Sequence, residues 1–310
     1  MKTYSNLLVK EKYNRDNLSE TWSEGPYDKY KDAKSYWRIL DFPLFNYRSN
    51  IFKFPDKLID GSILEVGSAA GGAYSFLSSK KLINEKTDYT GMDISNKGIS
   101  YCKKNYPNAK WVQQDLTTYK FKRKFDYSFE RIAVHHMQNP LEVFNNILSV
   151  TNKSFSCQFV SCLNGKTISD LSVSRYRHGK GDLVYFNIIN LFEVIENMID
   201  HGFNNIHVLY HGEHEKVGNL PLAHQYLSPD INFKKRMIGR CTVCCFKTNE
   251  KKLNLFLENR RKENDLNLKI KKLFFLGDNS HRKFIKKTLK MMTTRSYGIL
   301  FKTDYFSDKW

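Results

Sequence analysis

The chain has 310 residues, 41% of them hydrophobic and 14% aromatic, enough to bury a large core as one extended domain or one domain with appendages. Six cysteines, at 102, 157, 162, 241, 244 and 245, are too few and too uneven for a disulfide framework, so reduced thiols are expected. No window approaches the roughly 20 apolar residues of a membrane span, and the first residues lack the apolar stretch of a secretory signal, so a cytoplasmic globular protein is expected.

The formal net charge is +18 and it is unevenly spread. Residues 247–310 hold 17 Lys and Arg against 7 Asp and Glu, which is +10 of the total. Such a field suits an anionic partner, whether nucleic acid, an acidic lipid surface or an acidic substrate, and equally suits a solvated basic face. The pattern divides the chain into an N-terminal helical and aromatic segment (1–54), a core domain (55–248) and a basic helical extension (249–310).

In the first segment, Tyr30, Ala33, Tyr36, Trp37 and Leu40 recur at helical spacing, which predicts an amphipathic helix over 28–40 that Pro43 ends. The core opens with an apolar run at Ile63, followed by the glycine-rich stretch Gly67-Ser68-Ala69-Ala70-Gly71-Gly72 and a helix over 72–81. A strand over 88–93 and a helix over 97–106, with Ser95 as its N-cap, come next. Further strands are expected at 110–115, 125–130 and 154–163, with a helix from Pro140 to about 150. A polar, basic loop occupies 174–182, including Arg175, Arg177 and His178. A helix over about 188–201, a strand over 206–210, a long excursion over 211–238 and a strand over 241–247 complete the core, the last two strands closing the sheet as a hairpin. Helical runs are expected at 253–261, 266–276 and 282–292, the last two basic and amphipathic, able to lie on an anionic membrane, a partner or their own domain.

Alternation of short strands with helices is the signature of an open, mostly parallel α/β sheet, whose ligands bind at the carboxyl ends of the strands. Three successive strand ends carry an acid there: Glu65, Asp93 and Asp115. Cys241-x-x-Cys244 has the spacing of half a zinc site, but it lies in a run that reads as a buried strand with no second ligand pair, so no metal is expected. A nicotinamide site would require Gly-x-Gly-x-x-Gly, which this chain lacks, and Glu65 would repel a pyrophosphate.

The ordered set Glu65-x-Gly67-x-x-x-Gly71, Gly91-Met92-Asp93-Ile94-Ser95, Gln114-Asp115-Leu116, and Phe125-Asp126 followed by Val134-His135-His136-Met137-Gln138-Asn139-Pro140 resembles the S-adenosylmethionine-dependent methyltransferases of the Rossmann-like class. The resemblance spans about 55–165, with a weaker match of strand order to about 247. It implies a seven-stranded, mostly parallel sheet with helices on both faces and S-adenosylmethionine as cofactor. It also implies that Gly67, Ser68, Ala69 and Gly71 line the methionine part, that Glu65 faces its cationic end, and that Asp93 accepts from the ribose hydroxyls. Ile94 would cover the adenine, Asp115 and Leu116 would sit at its amino group, and Arg131 would stand nearby. Gly67 and Gly71 would leave room for the cofactor on the backbone, while Ala69 replaces the middle glycine usual in the family and is expected to hold a negative φ.

For a hydroxyl acceptor, a general base helps to remove its proton; His136 and His135 are the candidates, with Glu130, Arg131 and His178 behind them. The stretch from Val134 to Pro140 is more similar to that of small-molecule and sugar methyltransferases than to that of DNA-modifying ones. Arg175, Arg177 and His178 would suit an acceptor bearing phosphate or carboxylate, such as a nucleotide-linked or lipid-linked sugar. Nucleic acid is a possible partner that the motifs do not favour; an RNA methyltransferase and a non-catalytic S-adenosylmethionine-binding protein are the alternatives. The sequence does not determine an oligomeric state.

Overall fold

The computed structural model of the chain describes residues 18–19, 59–163, 165–178, 182–213, 225–227, 238–249 and 253–259. The helices expected at 28–40, 266–276 and 282–292 lie outside these residues. In chain order the elements are β1 (Ile63–Val66), α1 (Gly72–Ser79), β2 (Tyr89–Asp93), α2 (Asn96–Asn105), β3 (Lys110–Gln113), β4 (Phe125–Arg131), α3 (Pro140–Ser149), β5 (Thr151–Cys162), β6 (Ser174–His178), β7 (Asp182–Tyr185), β8 (Ile189–Asn190), α4 (Leu191–Asp200), β9 (Asn205–Glu213), β10 (Gln225–Leu227), β11 (Ile238–Phe246) and β12 (Asn254–Asn259). A 3-10 turn, Val134–His136, follows β4.

The main sheet runs β12-β9-β11-β5-β4-β1-β2-β3, with β8 beside β5. All four residues of β1 are buried, as expected of a central parallel strand covered on both faces. On one face Leu64, Val66, Phe155 and Phe159 share a core with Phe144 and Ile147 of α3 and Val194 and Met198 of α4. On the other, Ile63, Tyr89, Trp111 and Phe129 pack with Ala73, Tyr74 and Leu77 of α1 and Ile99 of α2. The sheet is parallel from β3 to β5, and β11 is antiparallel to both its neighbours. The expected Rossmann-like architecture is thus present, a mostly parallel sheet with helices on both faces. Among the described residues no helix is long and apolar enough to cross a membrane.

Three expectations need correction. A helix is expected at 253–261, yet Asn254–Asn259 is a strand that pairs in parallel with β9, so the β9–β11 hairpin does not end the sheet. Leu253 and Leu255 enter the core two residues apart, and a short apolar run satisfies both periods until its burial is known. Within the stretch expected to be a basic loop, Ser174–His178 is instead the strand β6, antiparallel to β7, and β10 extends the pair to a small second sheet in the order β10-β6-β7. The helix expected from about 188 begins at Leu191, because Oδ1 of Asn190 accepts the amide protons of Phe192 and Glu193 at 2.8 and 3.0 Å and caps it.

The order of the strands creates the site. From β1 the chain builds β2 and β3 on one side and then crosses back to lay β4 on the other. The loops after β1 and β4 therefore diverge at a topological switch point, the crevice where open α/β sheets bind ligands.

Candidate cofactor and acceptor site

The glycine-rich loop leaves β1 pinned to the end of β2: the amides of Gly67 and Ser68 both donate to the carbonyl of Met92, at 2.8 and 3.0 Å. Gly67 and Gly71 have φ of +71° and +74°, the left-handed region that glycine enters without penalty. The space beside them is filled by the protein itself, which corrects the expected reason for these glycines. A Cβ on Gly67 would stand 2.3 Å from Cβ of Ala133, in the loop after β4, and one on Gly71 would stand 2.8 Å from the Tyr106 ring. Ala69 also departs from expectation, with φ of +47° rather than a negative value. An L-residue there costs about 1–2 kcal/mol. Its amide donates to Oδ2 of Asp93 at 2.8 Å, a bond that helps to hold the conformation.

The three strand-end acids differ in environment. Glu65 is buried, and Oε2 accepts the hydroxyl of Tyr89 at 2.6 Å. Burial pushes its carboxyl up to about 8, only partly offset by the tyrosine. Asp93, partly exposed, spreads its oxygens over two loops: Oδ2 takes the Ala69 amide and Oδ1 the Ser95 amide, each at 2.8 Å. Desolvation raises its pKa against those donors. The backbone amide of Ile94 donates to the same carboxylate as well. Oδ1 of Asp115 closes a turn by accepting from the amide and hydroxyl of Thr117 at 2.9 and 2.6 Å. Ile94 is partly exposed after β2, and Leu116 is buried after β3.

Beyond β4 the backbone is strained, since Ile132 has φ of +56°, an unusual conformation for a β-branched residue. Glu130 is fully buried and braces this turn: Oε2 accepts from the amides of Ala133 and Val134 at 3.0 and 3.2 Å, and Oε1 from that of Gln158 at 3.2 Å. Burial nevertheless pushes its pKa up to about 8. Arg131 is partly exposed, with Nε 3.5 Å from Oε1 of Gln158. The rings of His135 and His136 lie 3.9 Å apart. His135 is 2% exposed, and burial holds its pKa well below the usual value. Nδ1 of His136 is 2.8 Å from the carbonyl of Tyr185. A carbonyl can only accept, so Nδ1 carries the proton and Nε2 is the basic nitrogen.

Tyr185 ends β7, so the small sheet reaches the turn after β4. Arg175 pairs with Tyr185 across β6 and β7, which brings Arg175 to the same end of the molecule as His136. Its guanidinium donates to the carbonyl of Leu171 at 3.1 Å. The side chains of Arg177 and His178 lie outside the described residues. The structure thus gathers Glu65, Gly67, Asp93, Arg131, His135 and His136 around the switch point.

Several contributors escape a reading of sequence. Ala133 sets the need for glycine at 67, Tyr89 partners Glu65, and Asn187 donates its amide N–H to the His135 carbonyl at 2.7 Å. Asn187 offered one signal, as an isolated amide within the apolar run Leu183-Val184-Tyr185-Phe186-Asn187-Ile188-Ile189. The cysteines of β11, read as part of a strand, are in one, with Cys241, Cys244 and Cys245 all buried.

The loop fits a bound S-adenosylmethionine on its own chemistry. Oγ of Ser68 is buried and has no hydrogen-bond partner, an orphan that a polar ligand group would satisfy, while Glu65 and Asp93 supply carboxyl groups on either side. Residues 63–154 match the family described as "Methyltransferase domain". A comparison with curated proteins gave no match. Among solved structures the chain is similar to DhpI in complex with S-adenosylhomocysteine, at 14% identity over 76% of this chain and 96% of that one, with a TM-score of 0.46. It is also similar to a 1,6-didemethyltoxoflavin-N1-methyltransferase from Burkholderia thailandensis, 10% identical over 76% and 91% of the two chains, TM-score 0.43. A third is an S-adenosylmethionine-dependent methyltransferase from Mesorhizobium loti, 12% identical over 63% and 94%, TM-score 0.42. Residues 63–154 thus carry a methyltransferase domain, with S-adenosylmethionine as its cofactor.

Proposed function

We propose that this enzyme methylates a hydroxyl of a small-molecule or sugar acceptor that bears phosphate or carboxylate. The observation that carries the reading is the 2.8 Å contact between Nδ1 of His136 and the Tyr185 carbonyl, beside the loop that packs on Gly67. The contact fixes the orientation and tautomer of the ring, as a base that takes a proton from a hydroxyl requires.

When bound, S-adenosylmethionine supplies an electrophilic methyl group, its C–S bond breaking with the electron pair left on sulfur as the acceptor forms a C–O bond. Asp93 would accept from the ribose, Glu65 and the Ser68 hydroxyl would face the methionine end, and Ile94, Asp115 and Leu116 would hold the adenine, with Arg131 near the cofactor. Nε2 of His136 takes the hydroxyl proton. Glu130, engaged by three backbone amides, shapes the turn and is not the base in this reading. Arg175, with Arg177 two positions along the same strand, would give the acceptor's anionic group its counter-charge.

Calorimetry with S-adenosylmethionine tests the cofactor half independently of any acceptor. Wild type binds and Asp93→Ala binds at least tenfold more weakly; no binding by the wild type would overturn the reading. Transfer of labelled methyl to nucleotide-linked sugars tests the acceptor half. His136→Gln should lower the rate about 10²–10⁴-fold, and an unchanged rate would remove His136 as base. Retention of full activity in Arg175→Ala combined with Arg177→Ala would exclude this strand as the anion site.

A further inference from the structure

The turn that carries the proposed base has little to hold it from within. Val134–His136 is a single 3-10 turn, closed by the amides of His136 and Met137 on the carbonyls of Ala133 and Val134, each at 3.0 Å, and so short a turn depends on outside partners. Glu130 takes the two amides that enter it, those of Ala133 and Val134. Asn187 takes the carbonyls that leave it: its backbone amide donates to that of His135 at 2.7 Å and its side-chain Nδ2 to that of Met137 at 2.6 Å. These two bonds bracket His136, whose ring donates from Nδ1 to the carbonyl of Tyr185, two residues before Asn187. One short segment thus fixes the backbone on either side of the base and the ring itself. The segment is anchored in its turn, since the Ser174 hydroxyl donates to the carbonyl of Phe186 and Ile188 exchanges backbone bonds with Ile168 at 2.8 and 3.1 Å. Asn187 is 1% exposed, so water does not compete for its donors.

We propose that Asn187 is a positioning residue for His136, holding its turn so that Nδ1 meets the Tyr185 carbonyl and Nε2 is left for the acceptor. The inference rests on the reading of His136 as the base of a hydroxyl methyltransferase and adds a residue that acts only through it. Both carbonyls can only accept, and Asn187 meets them with two donors. The backbone donor would come from any residue but proline; the Nδ2 donor would not come from leucine or alanine. Without Nδ2 the carbonyl of Met137 leaves the clamp and the turn is held at His135 alone. The bond from Nδ1 to Tyr185 then weakens, and the Nε2–H tautomer, which leaves no basic nitrogen at Nε2, gains population. Because Arg175 pairs with Tyr185 across β6 and β7, the strand proposed to hold the acceptor's anion and the carbonyl that orients the base belong to one pair of strands.

The test uses the full chain saturated with S-adenosylhomocysteine and labelled with ¹⁵N-histidine, at about pH 8, where a histidine of ordinary pKa is neutral. Long-range ¹H–¹⁵N spectra show which ring nitrogen carries the proton, and His136→Gln identifies the His136 signals. Wild type should hold the Nδ1–H form. Asn187→Leu, close in size and without the donor, should shift the tautomer ratio of His136 at least tenfold toward Nε2–H, with S-adenosylhomocysteine bound within twofold of wild type. His201 at the C-cap of α4, whose Nδ1 lies 2.8 Å from the Asn197 carbonyl, should keep its tautomer, which separates positioning from general loosening. Should Asn187→Leu misfold, Asn187→Ala is read in the same way. If neither folds, hydrogen exchange of the Asn187 side-chain amide in the wild type decides: exchange about a hundredfold or more slower than in free asparagine supports the clamp, and exchange at the free rate overturns it. A tautomer ratio within twofold of wild type in a folded variant also overturns it, while leaving His136 as the base. An Nε2–H tautomer in the wild type would instead overturn the reading of His136 as base, and failure to bind S-adenosylhomocysteine would strike at the methyltransferase reading.

Discussion

The hydroxyl of Tyr89 donates to Oε2 of Glu65 at 2.6 Å, inside a cluster formed by Tyr74, Tyr106 and Trp111. Tyr89 starts β2 and Glu65 lies on the adjacent β1, so one buried hydrogen bond couples the sheet to the entrance of the cofactor loop. It also keeps an acid where an aliphatic residue would pack more cheaply.

Stability without ligand should fall as pH rises from 5 to 8. The Glu65 carboxyl is raised to about 8 in the fold from 4.5. Below pH 4.5 it is protonated folded or unfolded, and between 4.5 and 8 only the unfolded chain releases the proton, so folding loses up to about 1.36 kcal/mol per pH unit in that window. Thermal melts of Glu65→Gln, which stays neutral throughout, should show a shallower slope; Glu130, raised for the same reason, accounts for the slope that remains. An identical slope in wild type and variant would mean that Glu65 is ionised in the fold.

Cofactor affinity should move in the opposite direction. A cationic ligand beside Glu65 favours the ionised carboxylate, so binding releases a proton and the affinity for S-adenosylmethionine should rise, by up to tenfold per pH unit, until pH passes about 8. Calorimetry in buffers of different ionisation enthalpy measures the released proton directly, and Glu65→Gln should release none.

Gly67→Ala should be severely damaging, because the added methyl group would meet Cβ of Ala133 at 2.3 Å on a backbone already at φ +71°. A loss of about 2 kcal/mol or more in stability is expected, with S-adenosylmethionine binding lost alongside. Ala133→Gly removes the steric half of the conflict, so a double-mutant cycle should recover part of the loss. Simple additivity of the two changes would show that the clash is not what requires glycine.

Ala69→Gly should stabilise the protein. It relieves a left-handed alanine at φ +47°, worth about 1–2 kcal/mol, against up to about 1 kcal/mol of added chain entropy in the unfolded state. The net gain, below about 1.5 kcal/mol, corresponds to a rise of a few degrees in Tm. A lower Tm would place Ala69 in a different backbone conformation.

Much of the fold was legible in the sequence because its signals are local. Apolar runs that end in Glu65, Asp93 and Asp115 mark strands whose last residue reaches the carboxyl edge, and Ser95 marks a helix start through one short-range bond to the amide of Gly98. Where two periods fit equally, as at 253–259, the residues could not decide, and burial of Leu253 and Leu255 against the sheet did. The basic stretch from Ser174 to Asp182 read as a loop because its strand partners, Tyr185 in β7 and Gln225 in β10, are supplied by other segments.

The sequence alone determined which residues stand at the ends of the parallel strands, since chain connectivity and the two-residue period of a strand fix those positions. Tertiary structure decided what each can do there. Glu130 has the sequence credentials of a base and is occupied by three backbone amides; Glu65 has those of a fixed charge and sits where desolvation favours its neutral form. Asn187 had no role until folding brought it against His135. The physical reason is common to all three: protonation and hydrogen-bond availability depend on solvent and partners that distant segments remove or provide, and no local pattern carries that information.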